Sequence, residues 1–169
     1  MLNTMIIYIN KLAMEARKSC EKENLFPQGA HIISEDQAAK VIKYFGGKIE
    51  KNQSQLSSNG YIEKDGDSFI IKYKSFKAID IFHELGHAFL HLEDIPPDKD
   101  GLPLEGQHGV NEGFASVFAR AFLMPEDIFC EDVMNLSKNS FCDIQALADL
   151  YEVEYSDVIM RGRELNLWE

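Results

Sequence analysis

Met5, Ile6, Ile9, Leu12, Ala13 and Ala16 recur at steps of three and four residues, the stripe of an amphipathic helix packed on a core. Pro27 and Gly29 make Asn24 to His31 a connection. Ser34 with Gln37 three residues on is a capping-box signal. It opens a helix through Ala38, Val41, Ile42 and Phe45 that Gly46 and Gly47 stop. A short strand is expected around Lys48 to Lys51, then a polar loop from Asn52 to Asn59. Alternation follows: Gly60 to Lys64 and Ser68 to Lys74 are extended runs separated by Asp65, Gly66 and Asp67, a strong hairpin signal. In the second run Phe69, Ile71 and Tyr73 face one way and Ile70, Lys72 and Lys74 the other, as in a small antiparallel sheet with one side on the core.

From Ala78 the period is helical again. Glu93 to Gly109 holds three prolines and three glycines and is read as a long loop, a length that usually signals function or mobility. Val110 to Met124 predicts a helix with Phe114, Val117, Phe118, Ala121 and Phe122 on its apolar side, ending at Pro125. Further helices are expected over Pro125 to Met134, from a Ser140 cap to Tyr151, and from a Ser156 cap through Leu165. The last two, joined by Glu152 to Tyr155, have a helix-turn-helix outline. The expected fold class is α+β: a small antiparallel sheet against two site-bearing helices, with N-terminal helices and a helical tail. One domain is expected over 1–169, with N-terminal helices and first strand in 1–50, hairpin and site helices in 60–124, and the tail in 125–169.

Composition narrows the function classes. A formal charge of −11, from 28 acidic and 17 basic residues, argues against a surface for nucleic acid or an anionic membrane. The tail from Ser140 onward is itself acidic, the wrong balance for a DNA-reading helix. Partners are expected to be proteins, with basic patches of their own. No apolar run approaches membrane-spanning length, and Met5 to Ile9 is too short for a signal core. Cys20, Cys130 and Cys142 form no C-x-x-C pair and read as reduced thiols. The chain is therefore expected to be soluble and cytoplasmic.

The chemistry centres on Phe82 to His91, where His83, Glu84 and His87 make an H-E-x-x-H pattern. On a helix, residues four apart share a face, so both imidazoles can reach one ion. Glu84 lies about 100° round the helix from His83, placed to act as general base without being a ligand. Catalytic zinc takes a third protein ligand and leaves a position open. Glu93 stands where the metzincin pattern needs a histidine, which excludes that subclass. The candidates are His91, His108 and Glu112. A straight helix carries His91 about 6 Å beyond His87, too far to close the site, so it is read as a second-shell or substrate contact. His108 sits in a Gly-rich approach. Glu112 opens a helix among apolar neighbours, where a carboxylate is costly unless it meets a cation, and it is the favoured third ligand. An oxyanion donor is also needed, with His108, His91 and Tyr61 as candidates.

The string His83 to His91, then Glu112, Phe118-Ala119 and Leu123-Met124-Pro125, resembles the ImmA/IrrE family of small metallopeptidases. The resemblance extends back to the hairpin at Gly60 and forward through Leu147-Ala148, Val153 and Arg161. Asn111 to Ala115 is also similar to the thermolysin-like pattern whose glutamate binds zinc, a second reason for Glu112. Three positions depart from these patterns. Phe82 stands where alanine is common, Phe114 where a second glutamate is common, and Ser116 where an aspartate orients a histidine; Asp80 and Ser116 are the candidates for that orienting contact.

The resemblance implies a zinc-dependent endopeptidase acting on a protein substrate, a helix-turn-helix transcriptional repressor of a mobile element or stress response. Zinc on His83, His87 and Glu112, with Glu84 as base, is the expected gluzincin-type arrangement. Two other readings stay open: a non-catalytic regulator that keeps the metal fold as a scaffold, and a general hydrolase of small peptides.

Overall fold

The computed structural model describes residues 2–52, 59–91, 108–139 and 141–168. Helix α1 (Leu2–Lys22) buries Ile9, Ala13, Ala16 and Cys20 along one stripe. Met5, expected in that stripe, is exposed, because the buried line starts a turn later. Helix α2 (Glu35–Tyr44) begins at the expected capping box: the Ser34 hydroxyl accepts from the Gln37 amide and the Gln37 side chain accepts from the Ser34 amide.

Three strands follow: β1 (Gly47–Lys51), β2 (Gly60–Asp65) and β3 (Ser68–Tyr73). The β2–β3 hairpin turns on Gly66 and Asp67, with Gly66 at φ 63°, the conformation that a type II′ turn asks of its first residue. Strand β1 adds to the other side of β3, parallel to it, from Gly47 opposite Phe69 to Lys51 opposite Tyr73. The sheet is thus mixed, in the order β1-β3-β2, and β2 is left at an edge. Phe69, Ile71 and Tyr73 enter the main core as the alternation required.

Helix α3 (Ala78–His91) packs on this sheet, and α4 (His108–Leu123) packs across α3. The expected start of α4 at Val110 moves two residues earlier. Phe82 stacks on Phe122 with ring centroids 4.3 Å apart, and Phe118 lies between Phe122 and Phe89 in the same aromatic row. Burying a ring of this size contributes about 2–3 kcal/mol, and each ring pair about 0.5–1.5 kcal/mol more. Phe82, unusual in sequence, is therefore a packing residue. Helix α1 crosses α4 from the far side, where buried Arg17 donates to the carbonyls of Phe122 at 2.7 Å and Ala30 at 2.6 Å.

The tail comprises α5 (Glu126–Asn135), a two-residue hairpin of β4 (Ser137–Lys138) and β5 (Phe141–Cys142), α6 (Ile144–Tyr151) and α7 (Tyr155–Glu164). It has a second core of Met124, Phe129, Leu147, Ala148, Tyr151 and Val158. Two expected starts are corrected. Pro125 caps α5 from outside, since its ring fixes φ but leaves no amide to bond. Ser156 lies inside α7, because Glu152 in the left-handed conformation (φ 51°) turns the chain sharply enough for α7 to begin at Tyr155. Ser140 lies outside the described residues; the cap of α6 that the structure displays is Asp143, whose carboxylate accepts from the Ala146 amide at 3.0 Å. His31 and Tyr151 both meet Asp132 Oδ2, at 2.9 and 2.6 Å, tying the loop after α1 to the tail.

No helix among the described residues is long and apolar enough to cross a membrane. The three cysteines are unpaired, as expected. Cys20 is wholly buried, and burial pushes its thiol up to about 12. Native protein at pH 8 should therefore alkylate at the partly accessible Cys130 and Cys142 and spare Cys20 until denaturant is added. Peptide mapping that finds Cys20 labelled as fast as the others would contradict this packing.

Candidate metal centre

His83 and His87 project from one face of α3, one turn apart, and Glu112 faces them from the first turns of α4. His83 Nε2 lies 3.1 Å from His87 Nε2 and 3.0 Å from Glu112 Oε2, and His87 Nε2 lies 3.2 Å from Glu112 Oε1. Among the described residues this is the group of histidines, cysteines and acids close enough to hold a metal ion. Its spacing tests the fit. Ligand atoms about 2.0–2.1 Å from a tetrahedral ion stand about 3.3–3.4 Å apart, within a few tenths of the distances seen. Neutral imidazole nitrogens and a carboxylate are also the donor set that suits such an ion. Of these three side chains His83 and His87 are mostly buried, and Glu112 is 54% exposed.

Gly86 explains how α4 comes so near. A methyl added there would lie 3.0 Å from both Cα and O of Ala115 and 3.2 Å from Phe118 Cβ, so the two backbones touch between the histidines. Sequence reading passed over Gly86, although a glycine inside a helix costs about 1 kcal/mol relative to alanine and so itself signals close packing.

Ser116, one turn after Glu112, places Oγ 3.1 Å from His83 Nδ1. With Nδ1–H donating to that hydroxyl, Nε2 presents its lone pair toward Glu112 and His87. Asp80, the other candidate for this task, accepts from the Asn59 side-chain amide instead. Arg120, the cation nearest Glu112 in the α4 sequence, pairs with Glu164 and Asp157 of α7.

Glu84 stands against the edge strand. Gly60 of β2 backs onto it, such that a methyl there would meet Glu84 Cγ at 3.8 Å and Oε1 at 3.9 Å, and the Ile62 amide faces the carboxylate. Burial, then the charges of Glu112 and Asp80, raise this carboxyl to about 8, with the Ile62 amide opposing them. A divalent cation at the centre would act in the opposite sense, favouring the carboxylate. Tyr61 is on β2 with the Lys72 ammonium 5.8 Å from its ring centroid. His91 closes α3 and His108 opens α4, but their side chains lie outside the described residues.

Two helices that cross at a glycine, carry two histidines and a glutamate at metal-ligand spacing and keep a second glutamate beside them define a metallopeptidase-type arrangement. Residues 74–161, just over half of the sequence, match the Peptidase_M78 family model, the IrrE N-terminal-like domain. The chain belongs to this family, whose members supply a metallopeptidase-type function. A solved structure of a Mycobacterium tuberculosis transcriptional regulator shares the fold at a TM-score of 0.61 and 20% identity, over 94% of this chain and 50% of that one. The chain thus spans about half the length of that relative. No curated protein matches the sequence.

Two predictions follow from this geometry. Gly86→Ala should force the helices apart by a few tenths of an ångström and weaken metal binding at least ten-fold in a chelator competition, since ligand distances tolerate only about 0.2 Å. Unchanged affinity would show that the crossing is not limiting. The second concerns the metal-free protein. Because the folded-state pKa of Glu84 is raised, its contribution to stability is fully present below the unfolded value and is lost as pH rises toward about 8. Metal-free wild type should melt at a lower temperature at pH 8 than at pH 6, and Glu84→Gln should flatten that slope.

Proposed function

We propose that the chain is a zinc-dependent endopeptidase of the gluzincin type acting on a protein substrate. The observation that carries this reading is the convergence of His83, His87 and Glu112 with Glu84 alongside. When bound by those three side chains, zinc supplies Lewis acidity that polarises the scissile carbonyl and acidifies water. Glu84 takes the proton from the attacking water and delivers it to the leaving amine. Gly60 and the Ile62 amide of β2 hold Glu84 in place, and a bound cation would keep it in the carboxylate form that takes the proton. Ser116 holds the His83 ring in the ligating tautomer and orientation. Strand β2, at the sheet edge beside α3, is where an extended substrate segment would lie. His108, His91 and Tyr61 remain the candidates for the oxyanion donor.

The substrate we favour is a helix-turn-helix transcriptional repressor, met inside the cell. The family resemblance supports this, and so does the fold shared with a transcriptional regulator. The net charge of −11 supports a protein partner with basic patches over direct contact with nucleic acid.

Glu84→Gln should keep one zinc per chain by elemental analysis and lower the cleavage rate at least about 100-fold, the usual contribution of a positioned general base. The assay is intact-mass analysis of a helix-turn-helix repressor encoded beside the gene, with short unstructured peptides as a parallel substrate. A variant that keeps full biological effect without cleavage would favour the scaffold reading. Rapid trimming of the short peptides would favour the general hydrolase.

A further inference from the structure

Arg120 takes no part in the centre described above, yet it stands on the same line of α4 as two residues that do. Glu112, Ser116 and Arg120 recur at four-residue steps, one above the other on one helix face. The first meets the histidine pair, the second meets His83 Nδ1, and the third turns to the tail. Its Nε and Nη2 donate to Glu164 Oε1 at 2.8 and 2.6 Å, and its Nη1 lies 3.8 Å from Asp157. These side chains are largely out of water, 9% exposed for Arg120 and 5% for Glu164. Glu164 also lies 3.4 Å from Arg161, whose Nε donates to the Met124 carbonyl just past the end of α4. Helix α7 therefore grips α4 at two levels, a turn apart. Between the His83 ring and these ion pairs is a cavity of about 180 Å³, bordered by His83, Ser116, Arg120, Lys77 and Asp157.

We infer that Arg120 is a positioning residue for the metal centre: its pairing with α7 fixes the rotation of α4 and so sets where Glu112 and Ser116 meet the histidines. This rests on the reading that His83, His87 and Glu112 hold the metal. The leverage is geometric. Side-chain atoms about 6 Å from a helix axis move about 1 Å for a rotation of about 10°, several times what a zinc ligand tolerates. The contact at Gly86 sets how near α4 comes, but a smooth glycine surface resists rotation poorly. The cavity behind His83 leaves Ser116 dependent on the helix that carries it. The family match runs to residue 161 in α7 and so takes in Arg120, Asp157 and Arg161, with Glu164 one turn beyond it. A partner that drew α7 away would thereby loosen the centre from a distance.

The test is zinc affinity of the full chain, by competition with a chromophoric chelator at a temperature where circular dichroism shows every variant folded. Arg120→Met keeps the aliphatic stem and removes the charged fork. Ser116→Ala reports direct loss of the histidine's support. Val41→Ala, in the buried face of α2, is the control for general destabilisation. Arg120→Met and Ser116→Ala should each weaken zinc about ten-fold, the lower end for loss of a supporting contact, and Val41→Ala should stay within two-fold. Where Arg120→Met does not fold, Arg120→Lys and Glu164→Gln replace it, with several-fold weakening expected. Wild-type affinity in the Arg120 and Glu164 variants, or equal weakening in Val41→Ala, overturns the inference. A wild type that binds no stoichiometric zinc, or a His83→Ala that binds as well, removes the metal-centre reading itself and the inference with it.

Discussion

Two helices can share one metal ion only if their backbones come close enough for short side chains to meet, and at Gly86 the axes of α3 and α4 are brought to that distance. Much of the rest can be understood as support for this contact. The row of Phe82, Phe122, Phe118 and Phe89 packs the two helices together. Arg17 holds the end of α4 from the α1 side, and Arg161 holds the residue after it from the tail. The hairpin supplies the wall on which α3 rests and against which Glu84 is desolvated.

Electrostatics sharpen the same picture. Glu112 and Asp80 both act on Glu84, so the heart of an already acidic protein concentrates negative charge in a partly dry place. Like charges held that close are unfavourable unless one is protonated or a cation lies among them. Asp80 is bonded to Asn59, and Arg120 is committed to the tail, so neither the nearest amide nor the nearest guanidinium of these neighbours neutralises Glu112. Glu112 meets His83 and His87 instead, and a small, highly charged cation among the three would offset the repulsion.

The periodic parts of the chain were legible because each obeys one local rule. The Ser34 box and the Phe69, Ile71 and Tyr73 alternation were visible in sequence, as were the spacing of His83 to His87 and the cost of an unpaired Glu112. What could not be read depends on contacts between distant segments. The parallel pairing of β1 with β3 joins runs about twenty residues apart with no turn signal between them. The cap of α6 falls to Asp143 and not to a serine, because capping is decided by which oxygen reaches an amide. Ser116 is a candidate in sequence only through its place in an aspartate pattern; a hydroxyl is too common for sequence to say that it meets His83 Nδ1. Arg120 gives no local sign of what holds it, because its partners lie in a helix some forty residues on.

The bond from Arg161 to Asn10 Oδ1 spans 151 residues, and that from Arg17 to the Phe122 carbonyl spans 105. Both ends of the sequence are therefore needed to hold the helix that carries Glu112. During synthesis the histidines emerge well before the tail, and contacts of such long range form late because the intervening chain must be ordered first. A growing chain can hold His83 and His87 in place while the element that steadies Glu112 is still unmade. The group of His83, His87 and Glu112 is thereby completed only after the protein around it, so its assembly reports on the folding of the whole chain rather than of α3 alone.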